Sequence, residues 1–280
     1  MEDRSRNFNY DALDEGDKGI VHWVSEILWR EFYRHIIFNY PRVSKGKPFQ
    51  MRYEDIPWEN NPEFIEAWKN GRTGIPIVDA GIRQMIETGW MHNRLRMIVA
   101  MFLSKNLLVD WKIAEEFFMK HLIDGDIASN NGGWQWSAST GTDAAPYFRI
   151  MNPETQSLRF DETGEYIRKY VKELRDCPSK EVHMPSNPKE FGYVNPIVDL
   201  KISRQKAIDV FGDWAAEGKD EGMEKNHSKP VKEMIDFVLS RKEEKFSFLE
   251  KSCFFCVLEP SQSRFFTFWR HNPMVGFNGQ

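Results

Sequence analysis

Two tryptophans, Trp134 and Trp136, stand inside a run of glycines, amides and small residues from Asn130 to Asp143. Such a run cannot form a stable helix or a packed strand interior by itself. It lets backbone approach a ligand closely, and the indoles supply stacking faces. Just upstream, Asp124-Gly125-Asp126 sets two carboxylates two residues apart. Together these residues suit the wall of a pocket for a planar molecule with a polar edge. On an earlier helical stretch, Glu26, Trp29 and Tyr33 fall at i, i+3 and i+7, on one face. A carboxylate beside large aromatics serves a stacked heteroaromatic ligand that offers N–H groups, although an aromatic core face has the same pattern. Asn93 and Met97 are four residues apart, as are His92 and Arg96. Arg96 is a candidate partner for Asp124, since an Arg–carboxylate fork is strong and oriented; it serves architecture as readily as chemistry. Asp124 and Asp126 do not suffice for a metal site, because no nearby His or third carboxylate completes one. They also make a poor acid–base pair, since alternate residues of an extended segment point to opposite faces.

These residues need elements to hold them, and the composition bounds what those are. The chain of 280 residues has room for one large domain or two small ones. Its formal net charge of −4 gives no global signature of nucleic-acid binding. Local charge differs: from Trp29 to Arg52 the chain carries Arg30, Arg34, Arg42, Lys45, Lys47 and Arg52 against the single acid Glu31. Phe32, Tyr33, Tyr40 and Phe49 interleave this strip, which charge alone explains better as a solvated helix face and loop. The cysteines Cys177, Cys253 and Cys256 suggest no disulfide framework, and the lone C-x-x-C is weak evidence for metal or redox chemistry. There is no uninterrupted apolar stretch of membrane-spanning length and no secretory signal.

Hydrophobic period predicts helix after helix. The first spans about 20–39, with Pro41 and the Lys/Gly/Pro stretch ending it. A second runs from Ile75-Pro76 to Thr88, stopped by Gly89. A third runs from Trp90 to Leu108, and Asp110 caps a fourth through Leu122. Residues 153–215 read as loops and shorter helices, including Gly164 to Glu173. The organisation expected is a lead at 1–19, a helical domain at 20–215, a charged linker at 216–230 and a tail of no assigned fold at 231–280. Strands are nowhere convincing, so the fold class is all-α.

Ile27 to His35, Thr88 to Met97, and Asp124-Gly125-Asp126 through Pro146-Tyr147-Phe148-Arg149 resemble the photolyase/cryptochrome family. The nearest match is the class I cyclobutane pyrimidine dimer (CPD) DNA photolyases, over roughly 21–215. The resemblance implies an all-helical FAD-binding domain, an FAD cofactor, and the activity of a deoxyribodipyrimidine photo-lyase. Excited reduced FAD would pass an electron to the dimer, both cyclobutane bonds would break, and the electron would return.

The resemblance also implies roles by position. Arg96 and Asp124 match the ion pair beside the isoalloxazine, Asp126 the carboxylate at the flavin's polar edge, and Asn130 the residue facing flavin N5. Asn93 is shared between cofactor and substrate. Trp134, Trp111 and Trp58 match the chain that carries an electron to the flavin; without the resemblance, core packing accounts for all three. Trp29 and Trp136 correspond to the aromatic walls around a flipped dimer, and Glu26 to the carboxyl group that hydrogen-bonds it. Asn93, Arg94 and Met97 line the same pocket. Arg149 and the basic strip would meet phosphates, the sequence-independent part of affinity. A (6-4) photolyase would carry histidines where Asn93 and Met97 stand, and DASH relatives typically Tyr in place of Trp136, so CPD repair is the subtype implied.

The partner implied is UV-damaged DNA containing pyrimidine dimers, met by a monomer away from membranes. The compartment would be the nucleus or another DNA-containing one in a eukaryote, the cytoplasm otherwise. The family's α/β antenna domain and its segment gripping the FAD phosphates have no counterpart here, so FAD is expected to bind weakly or not at all to the isolated chain. The tail beyond Pro230 has no family counterpart either. Two other readings stay open: a cryptochrome-like blue-light receptor, and a non-catalytic DNA-binding fragment.

Overall fold

The computed structural model describes residues 18–142 and 149–217. Expectations on 1–17, on 143–148 and on the tail, with Cys253 and Cys256, lie outside the described residues. Among the described residues there is no strand. Nine α-helices run in order: α1 (Lys18–Asn39), α2 (Pro62–Lys69), α3 (Pro76–Thr88), α4 (Asn93–Met101), α5 (Trp111–His121), α6 (Ile127–Ala138), α7 (Pro153–Phe160), α8 (Glu165–Tyr170) and α9 (Leu200–Glu217). No helix among the described residues is long and apolar enough to cross a membrane.

Local chemistry sets most of the boundaries. α2, α3 and α7 each begin with Pro, where a missing N–H costs nothing, and Asn61 and Asn152 accept the first amides of α2 and α7. α3 ends where Gly89 takes φ 69°, and its N–H returns to the Met85 carbonyl. The Asp110 carboxylate caps α5 by accepting the Lys112 amide at 3.1 Å. The third predicted helix is interrupted at both ends. Trp90 and Met91 lie outside it, His92 is its N-cap, accepting the Arg94 amide at 3.1 Å, and α4 gives way to a π-helical turn at Phe102–Asn106. All five residues of that turn are buried. Its wider winding is the kind of irregularity found near functional sites.

The largest correction concerns the tryptophan run itself. Residues 127–138 form α6, although the Asn, Gly and Ser there favour irregular backbone. Tertiary packing overrides propensity. Asp126 caps the helix, α1, α4 and α5 pack on it, and nearly every residue from Ala128 to Ala138 is buried. The glycines let helices close on one another: a Cβ at Gly132 would stand 2.1 Å from a Tyr33 ring carbon of α1. Glycine in this segment therefore admits a neighbouring helix as well as bare backbone. α9 was also missed as one long helix, and it carries the chain to Glu217, two residues into the stretch read as linker.

The main core gathers α2, α3, α4, α5, α6 and α8 around Trp68, Ile82, Met85, Phe102, Phe118 and Trp134. A polar knot closes one side of it. Asp79 of α3 is fully buried and accepts the Thr73 amide at 2.8 Å, the Thr73 hydroxyl at 2.6 Å and the Gly74 amide at 3.0 Å, with the Tyr193 hydroxyl as a fourth donor.

Candidate functional site

The candidate site turns on α6 and the two aspartates before it. Asp126 accepts the Ser129 amide at 3.0 Å and the Ser129 hydroxyl at 2.9 Å through Oδ2, while Oδ1 lies 3.8 Å from the Arg34 guanidinium. Asp124 takes a different partner. Arg96 Nη2 donates to both its oxygens, at 3.0 and 2.8 Å, and Arg96 Nε donates to the Met91 carbonyl at 2.7 Å. Arg96 is 1% exposed, yet the Asp124 side chain keeps 31% of its surface. The pairing of Arg96 with Asp124 is as the sequence suggested. The two acids are separately engaged, which leaves neither as a free acid–base couple. Among the described residues no three His, Cys, Asp or Glu side chains converge on a metal site.

Asn130, one turn into α6, is 4% exposed. Its Nδ2 donates to the Glu115 carbonyl at 3.0 Å, and its Oδ1 is buried with no hydrogen-bond partner. A buried oxygen left without a donor costs about 1–3 kcal/mol, so the position favours a ligand that brings an N–H. Next to it, Asn131 Nδ2 donates to Glu115 Oε1 at 2.8 Å. Burial holds the Glu115 carboxyl above its ordinary range; the Asn131 hydrogen bond opposes this and the Asp110 charge adds to it.

A second group of residues sits at the far end of α6. Met97 and Met101 of α4 and Trp136 form one buried apolar cluster, with Met151 against it. The Arg149 guanidinium stands 5.5 Å from the Trp136 ring centroid. Asn93, one turn before Met97, is 3% exposed. Arg94 turns instead towards α7, 5.0 Å from the Phe160 ring. On α1, Glu26 is buried and Trp29 half-buried. Trp29 belongs to another apolar cluster, 5.5 Å from the Phe32 ring and 6.2 Å from that of Tyr33. The structure thus brings Met97 and Trp136 together with Arg149 over the Trp136 ring, and packs Trp29 with the aromatics of α1.

The three tryptophans expected to carry an electron grade from inside to outside: Trp134 is 0% exposed, Trp111 2%, and Trp58 only partly buried. Trp58 packs against the main core and 6.0 Å from Phe211 of α9. Two aromatics that the sequence did not single out flank Trp134, Phe118 at 4.8 Å and Trp68 at 6.1 Å between centroids. Lys105 was likewise missed. It is 0% exposed in the π-helical turn, and its Nζ donates at 2.9 Å to both the Ala138 carbonyl and the Ser139 hydroxyl, closing the C-terminus of α6. Nζ also lies 3.2 Å from the Phe211 ring centroid. Burial lowers its pKa well below the ordinary lysine value. A lysine in an apolar run was the available signal, since such a residue is rarely buried without a fixed partner.

The family model described as the FAD binding domain of DNA photolyase matches residues 23–213. The chain belongs to that family. It is 52% identical over 205 residues to a deoxyribodipyrimidine photo-lyase of Salmonella typhimurium, covering 71% of this chain and 43% of the relative. The corresponding enzyme of Escherichia coli is 51% identical over 213 residues, 74% of this chain and 44% of the relative. That of Neurospora crassa is 49% identical over 223 residues, 74% and 36%. The chain therefore spans less than half the length of these relatives. Among solved structures, an archaeal photolyase from Sulfolobus tokodaii with two FAD molecules superposes with a TM-score of 0.66 at 40% identity, covering 72% of this chain and 46% of that one. A Synechocystis cryptochrome gives 0.64 at 32% identity, with 72% and 45% covered.

Proposed function

We propose that this chain carries the catalytic part of a light-driven DNA repair enzyme that splits cyclobutane pyrimidine dimers with FAD. The observation that carries the reading is the buried, donor-less Oδ1 of Asn130, one turn beyond the Asp126 cap in the stretch of chain that follows the Arg96-bound Asp124. These residues fit a flavin: Asn130 would accept from a ring N–H, Asp126 would face the polar edge, and Arg96 would hold Asp124 in place. When bound, FAD would supply the photoexcited electron. The chain's own residues bind, orient and exclude water. Trp136 and Met97 would offer an apolar surface to an extruded pyrimidine dimer, Trp29 the opposing wall, and Glu26 a hydrogen-bonding carboxyl group. Asn93 would serve both ligands. Trp58, Trp111 and Trp134 would reduce the flavin from the surface inward. Arg94, Arg149 and the strip from Arg30 to Arg52 would meet phosphates. The enzyme would act as a monomer on UV-damaged DNA, in whichever compartment holds that DNA.

The similarity to a cryptochrome supports a second reading, a blue-light receptor built on the same fold. The identities of about half to photo-lyases favour repair. The test begins with the visible spectrum of the purified chain mixed with FAD, followed by blue illumination with a dimer-containing oligonucleotide. Flavin retention and restoration of intact thymines support repair. Flavin retention with no restoration points to the receptor, and neither result leaves a DNA-binding domain.

A further inference from the structure

Between the basic strip and the tryptophan helix lies a set of hydrogen bonds that none of the roles above uses. Gln135 sits on α6 between Trp134 and Trp136 and is 1% exposed. Its Oε1 accepts the Phe49 amide at 2.7 Å, and its Nε2 donates to Asn131 Oδ1 at 2.9 Å and to the Lys47 carbonyl at 3.4 Å. The reverse connection comes from Gln50. Its backbone N–H donates to the Thr140 carbonyl at 3.0 Å and its Nε2 to the Gly141 carbonyl at 2.6 Å. Each glutamine thus satisfies the main chain of the other's segment, so that segment 47–50 is fixed to the last turn of α6 and its exit. The strap's cations stay outside: Lys45, Lys47 and Arg52 are exposed, and Arg52 Nη2 donates to Gln50 Oε1 at 2.8 Å. An exposed guanidinium is therefore linked through one side chain to the backbone five residues beyond Trp136.

We infer that Gln135 and Gln50 are positioning residues that set the register between the phosphate-facing strap and the Trp136 wall, and so govern discrimination of dimer-containing from undamaged DNA. This rests on the photolyase reading above. Phosphate contacts carry no lesion information, so they help selectivity only if they are held in a fixed relation to the group that reads the lesion. The strap's charges supply the affinity for any duplex, and the glutamines convert it into preference.

The test uses the full 280-residue chain, a short duplex with one thymine cyclobutane dimer, and the same duplex undamaged, with fluorescence anisotropy over a range of salt. In Gln135→Leu, of similar volume, the ratio of the two affinities is expected to fall about tenfold, the size of one to two lost hydrogen bonds. Gln50→Ala, at a partly exposed position, should lower it about threefold. Affinity for the undamaged duplex and its salt slope, which counts neutralised phosphates, should stay as in the parent. An unchanged ratio in a folded variant, or equal losses on both duplexes, overturns the inference while leaving the photolyase reading intact. A parent chain with no preference for the dimer overturns both. Should Gln135→Leu fail to fold, Gln50→Ala decides the matter alone.

Discussion

Gly132→Ala is the substitution whose outcome the packing fixes most tightly. A Cβ at Gly132 would lie 2.1 and 2.2 Å from Tyr33 Cδ1 and Cε1. Ordinary carbon contacts need about 3.5–4.0 Å, so either the ring or the helix must move by well over an ångström. The ring has little room, for Tyr33 is 3% exposed and is backed by Phe32 at 5.4 Å and Trp29 at 6.2 Å. Overpacking of this kind costs about 3 kcal/mol or more, at the upper end of its usual range. Replacing a mid-helix glycine by alanine returns about 1 kcal/mol of propensity. The net loss is about 2 kcal/mol or more, a fall in Tm of roughly 4–8 °C for a domain of this size. Two companions sharpen the test. Gly132→Ala with Tyr33→Ala should be less unstable than the sum of the single changes, because the second removes what the first strikes. Gly212→Ala, in α9 with no heavy atom within 4 Å of the added Cβ, should gain up to about 1 kcal/mol. Thermal unfolding followed by circular dichroism measures all five proteins, the parent and Tyr33→Ala alone included. If Gly132→Ala melts at or above the parent temperature, the close approach of α1 to α6 is wrong.

Arg96→Met leaves Asp124 without its fork and the Met91 carbonyl without a donor; since Asp124 is partly solvated, a loss of about 2–3 kcal/mol is expected in urea unfolding, and a null effect would contradict the pairing. Lys105 has a folded pKa below its unfolded one, so the unfolded chain binds more protons between the two values and stability rises with pH across that window, up to the ordinary lysine value of 10.5. The stability difference between the parent and Lys105→Met should therefore shift in the parent's favour towards alkaline pH; a flat difference would show a normally titrating amine. Glu115 runs the other way: its raised pKa makes its contribution greatest below 4.5 and lost as pH rises through the folded value, so Glu115→Gln should be relatively more stable than the parent at neutral pH than at pH 4. With FAD bound, Trp134→Phe should slow photoreduction of the flavin, since a phenyl ring is much harder to oxidise than an indole; equal rates would remove Trp134 from the electron path.

Sequence alone determined the helical character and most helix ends, because these follow from local chemistry: Pro76 before and Gly89 after α3, Asp110 before α5, Pro41 beyond α1. It also determined the family, since long motifs from Ile27 to Arg149 stand in one order, and it anticipated the Arg96–Asp124 pair from charge and position. The tertiary structure decided what no local rule could. It made a helix of Ile127–Ala138, where intrinsic propensity argued for irregular chain, by capping it with Asp126 and surrounding it on several sides. It buried Lys105 under the end of that helix and tied Gln135 to a strap 86 residues earlier in the chain. Such pairings depend on which surfaces meet. A glycine, a lysine or a glutamine in a string of letters carries no mark of the neighbour that will need its missing side chain, its charge or its amide.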